Sequence, residues 1–178
     1  MSSPQEQKEQ GLAAYRAERL DEAADKFAAA AQGFEAAGDR GAAAEMRNNL
    51  CVVQMAQEAW EAALAAVAGT PETFHALGDA PHEAQAIANL AAAHDGAGHV
   101  DEALALYEQA IDLFGEMGEK DNRAACFKKL GALQIKRGQQ MQALASMQAG
   151  LNLSPKLSAK EKTLKGVLNQ AMKMIGRG

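Results

Sequence analysis

The chain has 178 residues and a formal net charge of −5, room for one domain of ordinary size with a real apolar core. Apolar residues make up 48% and charged residues 23%, which excludes wholesale disorder, while 41 Ala and only 4% aromatics argue against an all-β fold, because Ala favours helices and is depleted from strands. No apolar run reaches the roughly 18 residues of a membrane span. The opening MSSPQEQKEQ lacks an apolar stretch behind a basic start, so a secretory signal is not expected. Two Cys make no disulfide framework, which points to a reducing cytoplasm.

The predicted elements are all helices. Ser3-Pro4-Gln5-Glu6 reads as a capping box with Pro at the first helical position, opening a helix over 4–18. Ala23, Phe27, Ala30 and Phe34 lie 4, 3 and 4 apart and mark one face of a helix over 21–37. Gly38 ends it, and Asp39 caps the next, 40–57. The helix over 60–77 carries Gly69-Thr70-Pro71. Pro removes a backbone donor and clashes with the preceding turn, so a break is expected near residue 69, with Thr70 capping a new start. Gly78 and Asp79 repeat the stop and cap before 80–97. Leu104, Tyr107, Ile111 and Phe114 mark 101–117. Gly118 and Asp121 punctuate the entry to 122–137. A helix over 140–153 follows, and a capping box at Ser158–Glu161 opens the last, 158–175.

These elements repeat. A shift of 40 residues without a gap superimposes Ala23, Ala63, Ala103 and Ala143; Phe34, Phe74 and Phe114; Ala44, Ala84 and Ala124; and Leu50, Leu90 and Leu130. A fixed period of this kind marks a solenoid. Leu130-Gly131, then Ala143 and Met147, then Pro155, together with Leu90-Ala91, Ala103, Tyr107 and Ala23-x3-Phe27, resemble the tetratricopeptide repeat (TPR) family, in a long-repeat subgroup of 40 residues. The resemblance implies an all-α fold: a right-handed α-solenoid of four TPR-like helix pairs plus a C-terminal capping helix. It implies one domain, 1–178, with repeats at about 4–38, 39–78, 79–118 and 119–157 and the capping helix at 158–175.

Little in the chain reads as catalytic. His75, His82, His94 and His99 show no ligand spacing, and no phosphate-binding or nucleophile motif occurs. No enzyme activity, cofactor or metal is expected. Cys51 and Cys126 read as small core residues. The resemblance implies instead a concave groove lined by the first helix of each pair. By register, the groove residues are Tyr15, Asn48, Asn49, Met55, Asn89, Lys128, Lys129, Ile135 and Lys136. Asn49 and Asn89 are repeat-equivalent, and an amide both donates to and accepts from a peptide backbone. The plainer reading is that Asn48 and Asn49 bond within the turn or face water. Of the two-carboxylate clamp of chaperone-binding TPRs, Lys8 and Asn49 are present. Leu12, Gln85 and Asn89 depart from it, so chaperone-tail binding is not expected.

Charge is unevenly spread. Residues 1–119 hold 6 Lys/Arg and 21 Asp/Glu, and residues 120–178 hold 12 Lys/Arg and 2 Asp/Glu. These sum to −15 and +10. The expected function is an adaptor or scaffold that binds an extended or helical segment of a partner protein, with an acidic stretch drawn to Lys128, Lys129 and Lys136. Nucleic acid and membrane are not expected partners, since the acidic body repels phosphates. A monomer is the expected state. The alternative is a module that assembles end to end through its charge dipole, sensitive to salt, with Met172, Met174 and Ile175 at the interface.

Overall fold

The computed structural model describes residues 2–154 and 156–175, with side chains as far as Gln170. Ten helices make up the described chain: α1 Pro4–Arg16, α2 Leu20–Ala36, α3 Arg40–Ala56, α4 Trp60–Val67, α5 Thr70–Ala76, α6 Ala80–Ala97, α7 Val100–Glu116, α8 Lys120–Lys136, α9 Gln140–Leu153 and α10 Ala159–Ile175. No strand occurs among the described residues. The helices gather into two compact units, Met1–Leu106 and Tyr107–Gly178.

One local device sets the spacing. Residues 18, 38, 58, 78, 98, 118 and 138 all have positive φ, between 57° and 78° except for 84° at Gly98. In each case the next residue's N–H donates back to the carbonyl five residues earlier. The pairs are Arg19 to Ala14, Asp39 to Phe34, Ala59 to Gln54, Asp79 to Phe74, His99 to His94, Glu119 to Phe114 and Gln139 to Gln134, all between 2.8 and 3.0 Å. This is the six-to-one bond of a Schellman helix end. It recurs every twenty residues, so two helices fill each 40-residue period seen in the sequence. Five of the seven left-handed positions are Gly, which adopts that conformation without penalty; the other two are Glu18 and Glu58.

The helix starts are more varied. Ser3 and Glu6 form the expected capping box on α1. Asp39 and Asp79 accept from Ala42 N and His82 N. Ser158 and Glu161 cap α10 in both directions. The expected Asp121 cap does not form. Helix α8 begins earlier, at Lys120, with Glu119 at the N-cap and no side-chain bond. Asp121 therefore lies in the first turn, where its charge still favours the helix dipole.

In the first unit, α1 packs on α2, α2 on α3, and α3 on α4, α5 and α6. Its core joins Ala14, Ala23, Phe27, Ala30, Ala31, Met46 and Val53, then Cys51, Ala63, Val67 and Ala93. Small residues let the helices meet. A Cβ added to Gly11 would stand 2.9 Å from the Phe27 ring, so α1 accepts the aromatic of α2 only because position 11 is bare. The second unit repeats this contact at its equivalent positions: a Cβ on Gly131 would stand 2.9 Å from Met147 Cγ. There α8 packs on α9, and α9 on α10.

The expected break falls in place: α4 ends at Val67 and α5 starts at Thr70. The expected cap differs. Gly69, at φ 75°, is the N-cap, and Thr70 is the first helical residue. Its hydroxyl donates backwards to Val67 O at 2.9 Å. In an unbroken helix that carbonyl would accept from residue 71, but Pro71 has no N–H. The hydroxyl replaces the donor that proline removes.

Candidate functional site

The sequence-predicted groove residues fall on the two units separately. In the first unit they lie on α1, α3 and α6, the first helices of the pairs. Lys8 Nζ on α1 binds both carboxylate oxygens of Glu45 on α3, at 2.8 and 2.9 Å. Its ammonium is thus already engaged by this chain, which removes the one basic residue of the clamp pattern. Further along, Gln85 Nε2 donates to Asn89 Oδ1 at 3.2 Å, and Asn89 Nδ2 donates to Asn48 Oδ1 at 2.9 Å. An amide chain therefore crosses from α6 to α3. The partner of Asn89 is Asn48, one residue before its repeat-equivalent Asn49. Asn48 is 7% exposed, while Asn49 and Asn89 are half-buried. Sequence register identified Asn49 and Asn89 as like positions; which neighbour touches which depends on the stagger of adjacent pairs, which register does not carry.

Tyr15 closes α1 and is exposed. Met55 is half-buried and packs against the cluster of Cys51, Ala63, Val67 and Ala93. In the second unit, Lys128, Lys129, Ile135 and Lys136 all lie on α8 and are exposed. Lys128 Nζ lies 3.9 Å from Glu161 Oε1 on α10, a loose pair at the surface that contributes little. Met172, Met174 and Ile175 have side chains outside the described residues.

Two features carried no sequence signal. His94 Nδ1 and His99 Nδ1 are 3.2 Å apart, brought together because the Schellman turn at Gly98 folds residue 99 back over the end of α6. Burial first, and then the His99 charge, lower the His94 pKa; Glu102 and Glu61 act the other way. Trp60 packs against bare Gly96, where a Cβ would overlap its ring. Among the described residues no group of three or more His, Cys, Asp or Glu is placed to hold a metal ion. Cys51 and Cys126 are free and buried. Burial pushes their thiols up to about 12 and about 11, so neither is a ready nucleophile at neutral pH. Among the described residues no helix is long and apolar enough to cross a membrane.

A third feature is a cleft of about 270 Å³ in the second unit, lined by residues of α8, α9 and α10. Gly150 and Ala124 make its floor possible. A Cβ on Gly150 would come within 3.1 Å of Ala124 O, so α8 and α9 approach closely and leave no bulk beneath α10. The signal for this floor was present in the sequence, since Ala124 repeats Ala44 and Ala84. What it did not show is that α10 stands off.

No family model matches the sequence, and no curated protein matches it. Solved structures do. BtubC (BKLC) from P. vanneervenii superimposes with a TM-score of 0.74 at 22% identity, over 84% of this chain and 65% of that one. The MamA RS-1 ArsTM double mutant gives a TM-score of 0.67 at 17% identity, over 84% of this chain and 74% of that one. The chain thus spans somewhat under two thirds of the BtubC length. These likenesses establish the fold class: an all-α helical repeat of the α-solenoid kind, TPR-like in its consecutive helix pairs.

Proposed function

We propose that this protein is a non-catalytic interaction module, an adaptor or scaffold, that holds a segment of a partner protein against the first helices of its repeats. The helical-repeat fold suits that work, because stacked pairs offer extended surfaces rather than a single deep site. The observation that carries the reading is the amide chain Gln85–Asn89–Asn48. Amides bonded to one another are held in place, and keep spare donor and acceptor positions for a peptide backbone. Tyr15 and Met55 supply apolar contact in the first unit. In the second, Ile135 does so, while Lys128, Lys129 and Lys136 attract an acidic stretch. A cytoplasmic setting belongs to this reading, and two buried free thiols suit a reducing compartment. So does membership of a 40-residue TPR subgroup, supported by the twenty-residue recurrence of left-handed positions.

Peptide display against the immobilised chain, followed by amide chemical-shift mapping, tests the proposal. Selected peptides should perturb Asn48, Asn49 and Asn89. The Asn48→Ala, Asn89→Ala pair should weaken them roughly tenfold, the worth of about one net hydrogen bond or slightly more. Peptides that map to the second helices, or bind the double variant unchanged, would refute it.

One observation favours a second reading. The −15 and +10 charges of residues 1–119 and 120–178 would orient copies head to tail. Light scattering after size exclusion separates the two: end-to-end assembly grows at low salt and dissolves at high salt, whereas an adaptor stays monomeric throughout.

A further inference from the structure

The cleft beneath α10 has a chemistry of its own. Its apolar wall is Ala124, Met147, Gly150, Leu151 and Leu164. Helix α10 closes it incompletely: Leu164, the apolar residue that α10 gives to the cleft, remains 41% exposed. Its other lining side chains are Ser154, Lys128, Lys160 and Glu161. The Ser154 hydroxyl is committed to Gly150 O at 3.0 Å. Glu161 is committed to Ser158, whose N–H and hydroxyl both donate to it, and this holds its carboxyl below the usual range. The lining thus carries two lysines against one carboxylate, with Lys128 Nζ only loosely paired to Glu161 Oε1 at 3.9 Å, which leaves room for a single negative charge. The volume, about 270 Å³, lies just under the range of ordinary ligand sites, roughly 300–1,000 Å³. A methylene takes up about as much space as a water, roughly 30 Å³.

We propose that this cleft binds an aliphatic chain of about eight to ten carbons ending in a carboxylate. The chain lies along Ala124, Met147, Leu151 and Leu164. The carboxylate sits between Lys128 and Lys160. This site shares Lys128 with the acidic-stretch contact proposed on α8 but no residue with the amide contacts on α3 and α6, so the aliphatic chain's binding, read with the uncharged alcohol, is tested apart from them.

Calorimetric titration of the full chain with hexanoate, octanoate and decanoate, each below the concentration at which it forms micelles, tests the site, with 1-decanol as the uncharged counterpart. One saturable site is expected. Affinity should rise roughly three- to fourfold per added methylene and level off near ten carbons. Decanoate should bind about tenfold tighter than decanol, the scale of a hydrogen bond to a charged group. Lys128→Gln with Lys160→Gln should erase that preference and leave decanol binding unchanged. Ala124→Leu should fill the floor and abolish binding. Because it also touches the α8–α9 packing, Leu164→Gln on α10, a cleft residue that is 41% exposed, serves as the second variant and should weaken decanoate at least fivefold. Heat that does not saturate, or saturable binding indifferent to the head group and to both lysines, would overturn the proposal. So would a Leu164→Gln protein that binds decanoate like the parent.

Discussion

The second helices of the first two repeats solve the same problem differently. Helix α2 runs unbroken for 17 residues, whereas its counterpart is split into α4 and α5 at Gly69-Thr70-Pro71. Yet the Schellman turns that bracket the split pair still fall at 58 and 78, in step with 18 and 38. The buried positions also correspond. Ala30 and Ala31 of α2 become Thr70 and Pro71, and all four are buried. The aromatic that ends the face is more enclosed in the broken version: Phe74 is 2% exposed, while Phe34 is only partly buried against its cluster. The repeat is thus defined by its turns and its buried contacts. Helical continuity between them can be given up, provided each backbone group freed by the break finds a partner.

The largest effect that could break this comparison is at the aromatic. If α5 is as firmly held as an unbroken helix, Phe74→Ala should cost about 3–5 kcal/mol, the usual loss for a buried aromatic. Phe34→Ala should cost less, because part of its ring already meets solvent. Urea unfolding of both variants measures the difference; a smaller loss at Phe74 than at Phe34 would mean that the split segment is slack.

Thr70 comes next. Thr70→Val keeps the shape and removes the hydroxyl that serves Val67 O. A buried carbonyl left without a donor should cost about 1–3 kcal/mol. Ala30, at the same register in α2, has no such duty, and Ala30→Ser should gain nothing. If Thr70→Val is neutral by the same unfolding measurement, water or backbone movement satisfies Val67, and the break is not self-contained.

Gly69 separates conformation from crowding. A Cβ there would meet nothing within 4 Å, and φ is 75°. Gly69→Ala should therefore lose only the left-handed penalty, about 1–2 kcal/mol. A larger thermal-melt shift would show that the two half-helices need more freedom at the joint than one dihedral.

Most of this architecture was legible in the sequence because small and large residues recur at fixed spacing, and that spacing is what places Gly11 under Phe27 and Gly131 under Met147. The break was legible for the same kind of reason, since proline's missing donor is a covalent fact. Its repair was not: Thr70 ahead of Pro71 reads as a forward cap, and only the path of this chain turns its hydroxyl back to Val67. The site was less legible than the fold. Register identifies like positions in successive repeats, such as Asn49 and Asn89, but contacts between neighbours depend on how far each pair is offset, and that offset brings Asn48 to Asn89 instead. The His94–His99 pair escaped because a five-residue separation points apart on a helix, and comes together only when a turn intervenes.

The smallest predicted effect asks whether the turn ahead of the split helix causes the split. Glu58 precedes α4 and Glu18 precedes α2, both at φ 57°; Gly98 and Gly138 hold the equivalent places later in the chain. A side chain in this conformation costs about 1–2 kcal/mol, and replacing it with Gly returns about 0.5–1 kcal/mol of that to the unfolded chain as entropy. Glu58→Gly should thus raise stability by a few tenths to about 1 kcal/mol, and Glu18→Gly by the same amount. Equal gains in urea unfolding would place the strain in the turn alone, identical before an intact helix and a broken one, and leave Pro71 as the sole origin of the break. A clearly larger gain at Glu58 would mean that its turn is strained further by the split helix it introduces, and that turn and break act as one unit.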